Sequence, residues 1–124
     1  MANILVVEDN DDVREMMAVT LELEGHDVST AVNGRDALAK LHAGSKPCLI
    51  LLDLMMPVMN GWEFQSALNR DPQLRDVPVV VVSAATGDMM KKTGAAAYLP
   101  KPLDIDQLLD VVCDFCNGSR PGPE

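Results

Sequence analysis

No apolar run in this sequence approaches the roughly 18 residues that a membrane span needs, so no spanning segment is predicted. The opening Met1-Ala2-Asn3 lacks a basic region and the apolar run Ile4 to Val7 behind it is too short for a secretory signal, which points to a protein that stays in the cytoplasm. Basic residues are few: ten Lys and Arg stand against nineteen Asp and Glu, a net charge of −9. That balance disfavours direct contact with nucleic-acid phosphates or an anionic membrane surface and leaves proteins as the expected partners. Only three cysteines occur, Cys48, Cys113 and Cys116, an odd number set inside apolar patterns, and they read as reduced core residues without a disulfide framework. Cys113 and Cys116 have a C-x-x-C spacing, but no second Cys or His pair accompanies them, so packing is favoured over a metal or redox role. The two histidines, His26 and His42, have no acidic or cysteine partner at motif spacing and read as surface residues. No internal repeat and no DNA-binding segment is found.

What is present is a regular alternation. Continuous aliphatic runs at Ile4 to Val7, Leu49 to Leu52 and Val79 to Val82 read as strands buried on both faces. A weaker alternating stretch at Asp27 to Ala31 reads as an edge strand, and Ala95 to Leu99 is a fifth candidate. Helical spacing fills the gaps. The first helix is predicted from near Asp11 to Glu24, with Val13, Met16, Met17, Thr20 and Leu21 inward and Gly25 as the stop. A second, about Gly34 to Ala43, buries Ala37, Leu38 and Leu41. A third starts near Asn60, an N-cap candidate, places Phe64, Ala67 and Leu68 inward and closes at Asp71-Pro72. The last buries Ile105, Leu108, Leu109, Val112, Cys113 and Cys116. Val111 and Phe115 lie off that stripe, where they either cover a partner surface or widen the buried face. Strand–helix alternation implies a parallel α/β sheet covered on both faces, because parallel neighbours need crossover connections. One domain, residues 1–117, is expected, with a Gly-, Pro- and Ser-rich tail at 118–124 that reads as disordered.

In such sheets ligands bind beyond the carboxyl ends of the strands, near the switch in strand order. There the first strand runs into Glu8-Asp9, the third into Asp53, the fourth into Ser83 and the fifth into Lys101. Three acids side by side repel unless a hard cation sits among them, and an oxygen-only set without histidine suits Mg2+ rather than zinc. A carboxylate held beside such a cation acts as a nucleophile toward phosphorus when metal and lysine absorb the charge on the phosphoryl oxygens. Asp53 is the best nucleophile candidate, since it ends a wholly apolar strand alone while Glu8 and Asp9 form a pair suited to metal. Ser83 is placed to donate its hydroxyl to a phosphoryl oxygen, and Lys101 brings a compact point charge. Each group also has a plainer reading: Asn10 and Asp11 are favoured as helix caps, Glu8 and Asp9 can be caps too, Ser83 can be structural, and Lys101 a solvated charge. Met55, Met56 and Met59 read as loop packing.

These residues resemble the receiver domains of two-component response regulators, and the match covers nearly the whole chain. Ile4 to Asn10 is similar to that family's first strand and acidic pair, Asp53 to Gly61 to its phosphorylation motif with the following Pro57 and Gly61, Val79 to Ala84 to its fourth strand and hydroxyl switch, and Tyr98-Leu99-Pro100-Lys101-Pro102 to its aromatic and lysine pair. The resemblance implies a doubly wound, flavodoxin-like five-stranded parallel sheet of order 2-1-3-4-5 flanked by five helices. It further implies Mg2+ held by Asp9 and Asp53 directly, by Glu8 through water and by the Met55 backbone carbonyl, with Asp53 phosphorylated. Lys101 and Ser83 would then close on the phosphoryl group and Tyr98 turn inward, Tyr98 having otherwise the role of a half-buried core residue. The Lys101-Pro102 bond is similar to the family's cis peptide. A histidine kinase or phosphotransfer protein is the implied donor, and a downstream protein or attached output domain the implied target.

The chain departs from the family pattern between Ser83 and Lys101, where only 17 residues intervene. That is shorter than the common pattern by about one helical turn. The fourth helix, near Gly87 to Lys92, is therefore expected to be stunted, which puts the usual mode of output in doubt. A receiver that keeps the fold but is never phosphorylated is the alternative. An aspartyl-phosphate phosphatase of the haloacid-dehalogenase type would need a second acid where Met55 stands, and a flavodoxin-like cofactor binder would have its phosphate repelled by Glu8-Asp9-Asn10-Asp11.

Overall fold

A computed structural model describes residues 3–44, 46–53, 61–83, 96–100 and 104–116. The aliphatic runs become β1 (Asn3–Val7), β2 (Asp27–Ala31), β3 (Leu49–Leu52), β4 (Val79–Ser83) and β5 (Ala97–Pro100), all parallel in the order β2-β1-β3-β4-β5. Alternate residues of the central strands feed two cores. Leu5, Val7, Ile50, Leu52, Val79 and Val81 meet Ala37, Leu41, Phe64 and Leu68 on one face. Ile4, Val6, Leu49, Leu51, Val80 and Val82 meet Met17, Leu21, Leu108 and Val112 on the other. Strands apolar at every position thus lie where both faces are covered, as buried parallel strands require. Only β2, at the edge, shows alternation, with Asp27 and Ser29 exposed.

The described helices are α1 (Asp11–Leu23), α2 (Gly34–Ala43), α3 (Gly61–Arg70) and the terminal α4 (Ile105–Cys116). Their ends follow from the sequence. Asn10 and Asn33 sit in extended conformation before α1 and α2, and their side chains accept hydrogen bonds from the amides of Val13 (3.0 Å) and Asp36 (2.8 Å). The carboxylate of Asp104 does the same for the amides of Asp106 and Gln107 at the start of α4. Each cap answers amides that have no partner within the helix. At the end of α1, Gly25 adopts φ +92° while its amide donates to the Glu22 carbonyl and that of His26 to Leu21, the paired bonds of a left-handed cap. Nothing lies within 4 Å of where a Cβ would stand on Gly25, so Gly25→Ala meets no clash and pays only for the left-handed backbone. A loss of about 1–2 kcal/mol is expected, read from urea unfolding.

Several expectations are corrected. Met16 and Ile105 are each 37% exposed rather than buried, because a helix buries a stripe about two residues wide per turn and Met17 with Leu21, or Leu108 with Val112, already fill it. Val111 and Phe115 are half-buried against the core cluster on the α1 and α4 face, so they widen the buried side of α4. His26 is half-buried, not a surface residue. His42 is exposed, but its Nε2 lies 3.1 Å from the Asp71 carboxylate. The amide of Gln73 and then His42 hold the Asp71 pKa below its ordinary 3.8. The cysteines are not all reduced: Cys48 and Cys116 form a disulfide across 68 positions of sequence, with Cα atoms 5.4 Å apart, while Cys113 stays outside it. Both bonded residues pack on one core cluster, where α4 is laid across the start of β3. By loop-closure entropy, a bond across a loop that long stabilises a fold by about 4 kcal/mol. The stunted helix expected near residues 87–92 and the tail at 118–124 lie outside the described residues.

Candidate functional site

The chain leaves β1 to build β2 on one side and returns to build β3 on the other, so the ends of β1 and β3 flank the switch in strand order. Such a crevice is the general ligand position of open α/β sheets. Val7 and Leu52 are register partners, which makes Glu8 and Asp53 the next residues on adjacent strands, about 4.8 Å apart along the hydrogen-bonding direction. Backbone bonds hold both in place: the Glu8 amide donates to the Ala31 carbonyl at 3.1 Å and the Asp53 amide to Val7 at 3.0 Å. Carboxylate oxygens of Glu8, Asp9 and Asp53 all fall within 4.8 Å of one another. Glu8 is 2% and Asp53 4% exposed, while Asp9 faces solvent and forms the rim.

Unit charges at that spacing repel by roughly 3 kcal/mol even at an effective dielectric constant of 20. The donor set is three hard oxygens with no nitrogen or sulfur, which fits magnesium and its preference for one or two carboxylates plus waters and phosphate. The loop carrying the acids is also tied to α1. The Asn10 amide donates to Glu8 Oε2 at 3.2 Å, and Arg14 Nη1 donates to the Glu8 carbonyl at 2.9 Å while its other nitrogen pairs with Asp11. Arg14 has no counterpart in the sequence argument. Its role rests on a reach back across the α1 cap, six positions away, which no motif spacing marks.

The remaining expected residues are placed to different degrees. Ser83 ends β4 opposite Pro100 of β5, two residues past the level of Leu52 and Val81. Tyr98 stands opposite Val81, half-buried, against the core cluster that includes Phe64. Lys101 follows Pro100 directly in sequence, but Lys101, Pro102 and Met55 lie outside the described residues. The structure therefore brings together Glu8, Asp9 and Asp53, and puts the backbone of Ser83 on the same edge of the sheet.

A doubly wound parallel α/β domain with an acidic pocket at its switch point is the class that fold and site define. The model of the response regulator receiver domain matches residues 4–113, and the chain belongs to that family. Among its relatives is Protein PilH of Pseudomonas aeruginosa, 34% identical over 116 residues, covering 90% of this chain and 95% of PilH. The DNA-binding dual master transcriptional regulator RpaA of Synechocystis is 35% identical over 114 residues, covering 88% of this chain. This chain spans just under half the length of RpaA and of the CpxR homolog of Haemophilus influenzae, 46% and 48%. Among solved structures, Vibrio cholerae chemotaxis protein CheY4 superposes with a TM-score of 0.85 at 34% identity, covering 93% of this chain and 98% of CheY4. Response regulator protein TrrA of Thermotoga maritima, in complex with Mg(2+)-BeF, gives 0.82 at 29% identity, covering 93% and 99%. Among the described residues no helix is long and apolar enough to cross a membrane.

Proposed function

We propose that this chain is a phosphorylation switch in which Asp53 takes a phosphoryl group from the phosphohistidine of a histidine kinase or phosphotransfer protein. The observation that carries the reading is the meeting of Glu8, Asp9 and Asp53 within 4.8 Å at the switch point of a receiver fold. A carboxylate oxygen of Asp53 attacks phosphorus, the bond from phosphorus to the donor imidazole nitrogen breaks, and the ring leaves with its electron pair and takes up a proton. Asp9, Asp53, the Met55 carbonyl and, through water, Glu8 would hold magnesium, which would supply positive charge for the phosphoryl oxygens. In this reading Lys101 would add a second positive charge for the phosphoryl oxygens and Ser83 a hydroxyl donor. The domain turns over no separate substrate: water attacks the acyl phosphate and returns the Asp53 carboxylate and inorganic phosphate.

Phosphorylation adds charge at the end of the central strand and biases the neighbouring surface, with Tyr98 as the side chain that follows the shift. The partner reading the new surface is a protein or an output domain attached to a longer chain. Relatives of both lengths support this, PilH being close to this chain in size and RpaA about twice as long. With its net charge of −9 the domain itself makes no contact with nucleic acid or membrane, and the cytoplasm is its place of action. Intact mass after incubation with acetyl phosphate and magnesium tests the reading. A gain of one phosphoryl group is expected, and an unchanged mass in folded protein turns the case toward a receiver that binds partners without being phosphorylated.

A further inference from the structure

We propose that Cys48, Cys113 and Cys116 form a thiol–disulfide exchange site, in which Cys113 is the internal thiol that opens the Cys48–Cys116 bond and takes Cys116 as its own partner. Two of the chain's three cysteines are bonded, and the third lies one helical turn from Cys116. Cys48 immediately precedes β3, Cys116 is in the last turn of α4, and the two are joined. Cys113 sits three positions before Cys116 on the same helix and is likewise half-buried. Residues at that helical spacing have Cβ atoms about 5–6 Å apart, a little beyond the usual disulfide range, so a Cys113–Cys116 bond needs only the last turn to rewind. Helix ends are where such adjustment is easiest. Cys116 therefore has two partners within reach, one on the sheet and one on its own helix.

The exchange is balanced without an outside oxidant. The Cys113 thiolate attacks the Cys116 sulfur, the bond to Cys48 breaks, and the Cys48 sulfur leaves with the electron pair and takes up the proton that Cys113 gave. One disulfide is lost and one is formed. Complete opening takes two electrons and two protons from a dithiol reductant, which is itself oxidised to its disulfide. The biological direction of this inference rests on the cytoplasmic reading above, since disulfides that occur in reducing compartments are mostly transient or redox-sensing.

The consequence is mechanical. In one form the end of α4 is tied to the start of the strand whose far end carries Asp53, and in the other it is released from the sheet. The strand runs only from Leu49 to Leu52, so tether and acceptor lie at the two ends of one short, fully buried element. Redox state at this edge and phosphorylation at the opposite edge would be two inputs to one strand.

The test uses the full chain, acid-trapped and alkylated, then mapped by peptide mass spectrometry. After oxidation with diamide, a Cys48–Cys116 cross-link with alkylated Cys113 is expected. In a mixed reduced and oxidised glutathione buffer a Cys113–Cys116 peptide with alkylated Cys48 should join it. Cys113→Ser should lose that second species and keep the first, and Cys48→Ser should hold Cys113–Cys116 as its one disulfide. Hydrogen exchange at residues 113–116 should rise when Cys48 is released, with circular dichroism confirming that the variants fold. Three alkylated cysteines after oxidation would overturn the site, and so would a Cys113–Cys116 bond missing from both wild type and Cys48→Ser. Neither readout involves acetyl phosphate, so failure here is distinguishable from failure of the phosphorylation reading.

Discussion

Asp53→Asn is expected to abolish phosphoryl incorporation from acetyl phosphate while leaving the domain folded. The replacement keeps the size of the side chain and the backbone bond from the Asp53 amide to the Val7 carbonyl. It removes the anionic oxygen proposed to attack phosphorus, and an amide oxygen is a far weaker nucleophile. It also strips one of three carboxylates from the cluster, leaving Glu8 and Asp9 to hold the cation. Wild type should gain stability from magnesium by mass action, about 2.7 kcal/mol at a metal concentration a hundredfold above Kd, and the variant should gain less. Melting curves with and without magnesium read this difference. Incorporation undiminished in the variant would move the acceptor to another residue, Asp9 first, since it is the exposed member of the cluster.

Phe64→Ala is expected to lower stability by about 3–5 kcal/mol, a large part of the 5–15 kcal/mol that a small domain has. Phe64 is fully buried and the largest side chain of its core cluster, filling the space between α3 and the β1, β3 and β4 strands. Truncation leaves a cavity lined by aliphatic residues that water has no reason to occupy. Phe64→Leu, which leaves most of that volume filled, should cost much less. Urea unfolding followed by circular dichroism measures both, and a loss under about 1 kcal/mol for the alanine variant would mean that α3 is not packed as described. Because α3 begins eight residues after Asp53 in the chain, a loosened α3 should also slow phosphorylation, whereas Gly25→Ala, at the other end of α1 from the acids, should not.

The strands were legible because their signal is local. Four consecutive aliphatic residues, Leu49 to Leu52, have few other places to go, and register then carries Glu8 and Asp53 to neighbouring positions without further information. The cap at Asn10 is equally local, an oxygen three residues ahead of the amide it serves. Arg14, the His42–Asp71 pair and the cysteine bond were not legible, for one shared reason. Each joins groups whose meeting is set by how helices sit against the sheet and its loops, and the separations of 29 positions from His42 to Asp71 and 68 from Cys48 to Cys116 carry no periodic trace of it. Met16 and Ile105 show the same limit on a finer scale. An apolar residue beside a helical stripe is inward or outward according to the space left by its neighbours, and spacing alone does not measure that space.

By itself, then, the sequence determined the alternation of elements, the double coverage of the central strands and the gathering of acids at their carboxyl ends, since hydrophobic period and chain direction are properties of adjacent residues. Only the tertiary structure decided which helix lies over which strand, and with it the tie between Cys48 and Cys116 and the hold of Arg14 on the Glu8 loop. Those contacts depend on the angles and depths at which whole elements pack, quantities summed over both cores and written in no single stretch of the chain.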